Sequence, residues 1–111
     1  MGGALRVDKP WGYELVWEVA PDYLARIVHL NRGNRVWLES RGESSRPVVV
    51  CAGRMLLVFE DDLGRTYEVP LAPGQLHDIP VRTRHRMIAV EDSDLVAVSP
   101  GDSLDVLRVE D

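Results

Sequence analysis

The residues best suited to chemistry lie in two separate stretches of the chain. Glu39, Arg41, Glu43 and Arg46 lie close together in the first stretch, and His85 lies in the second, among several arginines. Carboxylates and imidazoles can move protons or bind cations. Arginine stays protonated and instead binds carboxylates and phosphates through a planar fork of N–H donors. These residue types therefore suit either a cation site or a site for a small anionic molecule.

The inventory of chemically active residues excludes several classes of protein. The chain has one cysteine, Cys51, and three histidines, His29, His77 and His85. A single cysteine excludes a disulfide framework and a cysteine-rich zinc site, and a three-histidine metal site would need every histidine of the chain. The net charge is −5 and the arginines are scattered, which argues against a nucleic-acid interface.

The elements that must position these residues are short strands. Apolar runs rich in Val, Ile, Leu, Trp and Tyr are interrupted by turn residues every eight to twelve positions. The predicted strands are Tyr13 to Val19, Tyr23 to Leu30, Arg35 to Ser40, Pro47 to Ala52, Arg54 to Glu60, Thr66 to Leu71, Leu76 to Ile79, Arg86 to Val90 and Asp94 to Ser99. A turn at 61–64, ending in Gly64, predicts a hairpin. The pattern predicts an all-β antiparallel sandwich or barrel, in one domain over residues 1–111.

The spacing of glycines and polar residues defines two motifs. Gly33 is followed by Glu39, Arg41, Arg46 and Gly53, with five, one, four and six residues between successive positions. Gly74 is followed by Pro80, Arg82 and His85, with five, one and two residues between them. These two frames resemble the paired motifs of the cupin superfamily. The resemblance implies a double-stranded β-helix, or jelly-roll barrel, which agrees with the antiparallel barrel predicted from the strand pattern.

The two ends of the chain resemble one particular group within the cupin superfamily. Residues 9–14 (KPWGYE) and 105–111 (DVLRVED) are similar to the flanks of mannose-6-phosphate isomerase-like cupins, a group that includes the C-terminal domains of mannose-1-phosphate guanylyltransferases. Residues 53–56 and 85–92 are also similar to this group. The resemblance therefore covers nearly the whole chain, and it implies chemistry on a sugar phosphate.

The resemblance also identifies the positions at which relatives hold a divalent metal. These positions are Glu39, Arg41, Arg46 and His85. Arginine cannot act as a ligand, because it stays protonated. A Glu39–His85 pair alone provides fewer than the three protein ligands of an open catalytic zinc site. No cofactor is therefore expected, and any divalent metal would depend on Glu39 and His85.

Three interpretations of this altered motif remain open. In the first, Arg41 and Arg46, with Glu43 nearby, replace the metal as the positive element and bind a sugar phosphate or a carboxylate. In the second, the motif is a water-filled or salt-bridged remnant that binds nothing. In the third, a residual or shifted metal site uses Glu39, Glu43, His77 or His85.

The expected function is that of a small-molecule-binding cupin whose ligand is a sugar phosphate or another anion. One alternative is a sugar-phosphate isomerase or epimerase, in which His85 acts as general acid–base and Glu39 orients it. Another is a non-catalytic dimeric module. By analogy with cupins the chain is expected to be a homodimer. The sequence has no membrane-length apolar run and no signal peptide, so a cytoplasmic protein without membrane or nucleic-acid partners is expected.

Other reactive side chains are expected to be structural. His29 lies in an apolar run and is interpreted as a structural or edge histidine. His77 lies near the second motif but outside its ligand position, and is interpreted as incidental. Cys51 lies within a run of valines and is expected to be a small buried apolar residue. Trp11 and Tyr13 are expected to pack.

Overall fold

The chain folds into antiparallel β-sheet. The structure, a computed structural model, describes residues 3–39, 46–61, 63–79, 84–100 and 106–109, and for residues 38, 39, 46, 84, 99, 100 and 106–109 it describes the backbone alone. The described residues form eleven strands and no helix. The strands are β1 (Leu5–Lys9), β2 (Gly12–Ala20), β3 (Tyr23–Leu30), β4 (Arg35–Glu39), β5 (Arg46–Ala52), β6 (Met55–Glu60), β7 (Thr66–Leu71), β8 (Leu76–Ile79), β9 (Arg84–Ala89), β10 (Ser93–Pro100) and β11 (Val106–Val109).

The strands form two sheets of a jelly roll. A six-stranded sheet has the order β1-β2-β3-β10-β5-β8, and a five-stranded sheet has the order β11-β4-β9-β6-β7. All nine predicted strands are confirmed, and so is the hairpin between β6 and β7. The additional strands, β1 and β11, each pair with one neighbour at the edge of a sheet. No helix among the described residues is long and apolar enough to cross a membrane.

The inner faces of the two sheets share one hydrophobic core. Its buried members are Trp11, Val28, Leu30, Val36, Val48, Val50, Met55, Leu57, Phe59, Leu71, Ile79, Met87, Ala89 and Leu95. Alternate residues contribute along each strand, as in β6, where Met55, Leu57 and Phe59 are buried. Trp11, which lies just before β2, is 1% exposed, so its predicted packing role is confirmed. Burial of each large apolar side chain stabilises the fold by about 1.5–3 kcal/mol.

Two glycines allow strands and turns to approach one another closely. Gly12 opens β2 opposite Leu30, and a Cβ atom at Gly12 would overlap the backbone carbonyl oxygen of His29. Gly53 has a φ of 82° in the turn before β6, and a Cβ there would overlap the carbonyl oxygen of Asp92. Glycine adopts positive φ values readily because it has no Cβ atom, and for the same reason other backbone atoms can approach it closely. Gly53, which closes the first sequence motif, is therefore required by the packing of this turn.

Along each strand of the six-stranded sheet, the residues between successive core residues lie on the outer face. Val48 and Val50 of β5 point into the core, and Cys51 is exposed, so the prediction of a buried cysteine was wrong. His29 is partly buried, its Nδ1 lies 2.7 Å from Oδ1 of Asp94, and its ring stacks on Tyr13 at 4.7 Å between centroids. These contacts confirm His29 as a structural histidine.

Candidate functional site

His85 lies inside the barrel. It is in β9 and shares an inner face with Met87 and Ala89, both of which are buried. The residue is fully buried, at 0% exposure. Its ring meets that of Phe59 from the neighbouring β6 edge-on, with centroids 4.3 Å apart and an interplanar angle of 84°. His85 and Met87 therefore both point into the barrel.

His77 reaches the same place from the other sheet. In β8, Leu76 and Asp78 are exposed, His77 is half-buried and Ile79 is buried, so His77 and Ile79 belong to the inner face. The ring of His77 lies 4.9 Å from that of Phe59 between centroids, at an interplanar angle of 51°. In the sequence analysis His77 was interpreted as incidental, apart from its place in a shifted metal site, because it lies outside the motif position. No clear signal of its inward position was present in the sequence, because the apolar Leu76 beside it is exposed.

Burial keeps His85 neutral. Desolvation within the barrel, assisted by the charge of nearby His77 when that residue is protonated, lowers the pKa of His85 to about 4. Burial disfavours the charged form of an imidazole, and a second like charge adds to this effect. At neutral pH the His85 ring is therefore unprotonated and offers one N–H donor and one nitrogen acceptor.

The residues predicted from the first motif are only partly described. Glu39 ends β4, where the register places it opposite Arg84, whereas Leu38 lies opposite His85. Glu39 and His85 are therefore on neighbouring strands but are not cross-strand partners. Arg46 opens β5 opposite Ile79, two residues before Val48. Arg41 and Glu43 lie outside the described residues.

The structure shows a buried ion pair on the inner face of the six-stranded sheet that the sequence analysis did not predict. Glu14 of β2 is 8% exposed, and its Oε1 lies 3.4 Å from Nε of Arg26 in β3. Arg26 shares its face with Val28 and Leu30, both of which are buried. Strand alternation places Glu14 and Arg26 on the inner face, but only the register between β2 and β3 brings the two together.

The donors that the structure describes do not form a metal site. Among the described residues no group of three or more His, Cys, Asp or Glu side chains is placed to hold one. Two of the four motif positions, Arg41 and Arg46, carry a side chain that cannot act as a ligand. The described site is better characterised by its two imidazoles and the aromatic ring between them.

Comparison with solved structures shows that the fold is that of cupin domains. A cupin-2 domain-containing protein from Shewanella frigidimarina matches with a TM-score of 0.65 and 21% identity, over 85% of this chain and 84% of that one. An oxalate decarboxylase matches with a TM-score of 0.77 and 16% identity over 96% of this chain. Another structure of oxalate decarboxylase, from Bacillus subtilis, matches with a TM-score of 0.75.

The similarity to these solved structures is a similarity of fold. No protein-family model matches the chain, and no curated protein matches it in sequence. The chain spans about 30% of the length of the oxalate decarboxylase chain that it matches over 96% of its own length. Bacillus subtilis oxalate decarboxylase has Mn(II) centres.

Proposed function

We propose that this protein is a small-molecule-binding barrel that takes a sugar phosphate or another small anion in its interior. The observation that carries the proposal is the convergence of His77 and His85, from opposite sheets, on the ring of Phe59. An aromatic ring with polar groups on either side, inside an apolar barrel, is a common construction for a small-molecule site. The motif arginines Arg41 and Arg46 belong to the proposed site as anion-binding groups.

Binding is better supported than isomerisation. A general acid–base is most effective when its pKa lies near the working pH. The pKa of His85 is lowered to about 4, so its ring is a weak base and holds no proton to donate as an imidazolium at neutral pH. A neutral imidazole is instead well suited to hydrogen bonding with a hydroxyl group of a bound molecule. Glu39, the partner that the isomerase alternative requires, lies opposite Arg84.

Calorimetric titration with mannose 6-phosphate, mannose, oxalate and inorganic phosphate tests the proposal. We expect at least one anionic compound to bind the wild-type protein, and we expect His85→Gln and His77→Gln each to weaken that binding at least tenfold. His29→Gln is the matched control, because His29 lies on the outer face beside Tyr13 and Asp94. Equal binding by all three variants would contradict the proposed site.

Two further measurements separate the alternatives. A coupled assay for conversion of mannose 6-phosphate to fructose 6-phosphate, with and without added Mn²⁺, tests the isomerase. Elemental analysis of the purified protein tests the metal site, and a stoichiometric, tightly bound transition metal would contradict the altered-motif interpretation. Failure of every anionic compound to bind would overturn the proposed function itself.

A further inference from the structure

A cleft lies at the end of the barrel away from His85. Its lining begins at Arg54 and Met55, where β6 starts, whereas Phe59, which contacts His85, lies four residues further along the same strand. A strand rises about 3.3 Å per residue, so Met55 and Phe59 are separated by about 13 Å. The cleft has a volume of about 380 Å³. Pockets that bind small molecules measure about 300–1,000 Å³, so the cleft is large enough to hold one.

The walls of the cleft are largely aliphatic. Met55 of β6 and Leu71 of β7 are cross-strand partners, 2% and 5% exposed, and they form its buried floor. Leu56 and Pro70, the next pair of the same register, also line it, and Val90 stands at its rim with 50% of its surface exposed. A molecule that enters the cleft therefore removes apolar surface from water, which favours binding.

Arg54 is the charged member of the lining that the structure describes. Its Nε lies 3.9 Å from Oε1 of Glu91, and the two side chains are 69% and 58% exposed. An exposed ion pair of this length contributes little to stability, so an anion can compete with Glu91 for the guanidinium. The described lining thus combines apolar walls with one positive group and includes no carboxylate.

Hydrogen bonds within the protein hold the backbone around the cleft in place. The carbonyl oxygen of Arg54 accepts hydrogen bonds from the N–H of Val90 and the hydroxyl of Ser93, both at 3.0 Å. In the turn after β7, the N–H of Gln75 donates to the carbonyl oxygen of Ala72, and the N–H of Ala72 donates to Oε1 of Gln75. The cleft is therefore preformed, and its guanidinium determines which charged group it accepts.

We propose that this cleft binds a small aliphatic carboxylate, with the hydrocarbon part against Met55, Leu56 and Leu71 and the carboxylate on Arg54. A guanidinium can donate two parallel N–H bonds to a carboxylate. One arginine balances one negative charge, and apolar walls make a second, unbalanced charge costly, which favours a carboxylate over a phosphate dianion. The described lining has no aromatic ring on which a flat molecule could stack. This site goes beyond the function proposed above and does not depend on it.

NMR titration with hexanoate tests the proposal, with acetate and 1-hexanol as comparison compounds. We expect saturable shifts of the methyl groups of Met55, Leu56, Leu71 and Val90, and no shift of Ile79, which is buried in β8 two residues after His77. Acetate should bind at least about tenfold more weakly than hexanoate, because each methylene buried tightens binding up to about fourfold. Hexanol should bind about fivefold more weakly or less tightly still, because it cannot form the charged hydrogen bonds to Arg54.

Three variants assign the roles of the lining residues. Arg54→Gln should weaken hexanoate binding about fivefold and leave hexanol binding unchanged, whereas Glu91→Gln, which removes the competing carboxylate, should strengthen hexanoate binding. Ala72→Leu fills the cleft and should weaken the binding of both compounds. Arg65→Gln is the matched control, because Arg65 is also an exposed arginine in an ion pair, with Asp61 at the other end of the β6–β7 hairpin. Thermal melting verifies the fold of each variant.

Several results would overturn the inference. These are the absence of saturable shifts at the cleft, equal affinities for hexanoate and hexanol, and a loss in Arg54→Gln no greater than in Arg65→Gln. Displacement of hexanoate by mannose 6-phosphate would also overturn it, because the two sites are then not separate. The binding of mannose 6-phosphate itself tests only the proposed function, so either proposal can fail while the other stands.

Discussion

The ring of Phe59 lies edge-on to the ring of His85, with centroids 4.3 Å apart. The same phenyl ring also contacts His77, which belongs to the other sheet. The Phe59 side chain is therefore both a member of the core and part of the site. Its removal should open the barrel interior to water.

We expect Phe59→Ala to lower the free energy of unfolding by about 3–5 kcal/mol, because it leaves a cavity between the sheets. Phe59→Leu keeps most of the apolar volume and should cost less. Hydration of the cavity should also raise the pKa of His85 towards its ordinary value. Urea denaturation and NMR titration of the imidazole measure the two effects. A loss of less than 1 kcal/mol in Phe59→Ala would contradict this role.

The stability of the protein should fall as the pH decreases from about 6.5 to about 4. The pKa of His85 is 6.5 in the unfolded chain and about 4 in the folded one. Between these values the unfolded state binds a proton that the folded state does not, so acid favours unfolding. The contribution reaches about 3 kcal/mol at most. Chemical denaturation at a series of pH values should show a shallower dependence in His85→Gln than in the wild type.

Two alanine substitutions should separate conformational strain from steric overlap. Gly33 and Gly53 both have a φ of 82°, so alanine at either position adopts a left-handed conformation at a cost of about 1–2 kcal/mol. A Cβ at Gly33 has nothing within 4 Å, whereas a Cβ at Gly53 meets Asp92 and Ser93. Gly53→Ala should therefore lower the melting temperature clearly more than Gly33→Ala. Equal effects would show that the turn at Gly53 can adjust.

The outer face of the six-stranded sheet is the surface on which the expected homodimer would form. An apolar row crosses it, through the successive pairs Leu15–Ile27, Ile27–Val96, Val96–Val49 and Val49–Leu76. A two-fold axis parallel to the sheet, lying between two copies, brings such a row against its own copy. Light scattering should therefore give twice the chain mass, and Val49→Glu should give the monomer mass. Thr66→Glu, on the other sheet, is the control, and a monomeric wild type would contradict the prediction.

Much of the fold could be predicted from the sequence because it depends on local patterns. Short apolar runs separated by turn residues predicted nine strands. The strands β1 and β11 were not predicted, because edge strands bury little and need little alternation. In β1, for example, Leu5 is 66% exposed.

The site was harder to predict because it depends on register between distant strands. The motif frame singled out His85, which is buried in the interior, and also Glu39, which lies opposite Arg84. His77 was considered only for a shifted metal site, and Arg26 was not singled out because it belongs to no motif. Their positions on the inner face depend on the pairing of β8 with β5 and of β3 with β2 and β10, which no local pattern reveals.

The position of β10 has a consequence for how a growing chain folds. The strand lies between β3 and β5, so the six-stranded sheet cannot close until residues 93–100 have left the ribosome. Until then the β1–β3 meander and the β5–β8 pair expose unpaired backbone edges, which are prone to associate with other chains. Pairings this distant in sequence also form slowly. The yield of native protein should therefore depend on translation rate and on chaperones that protect open strand edges.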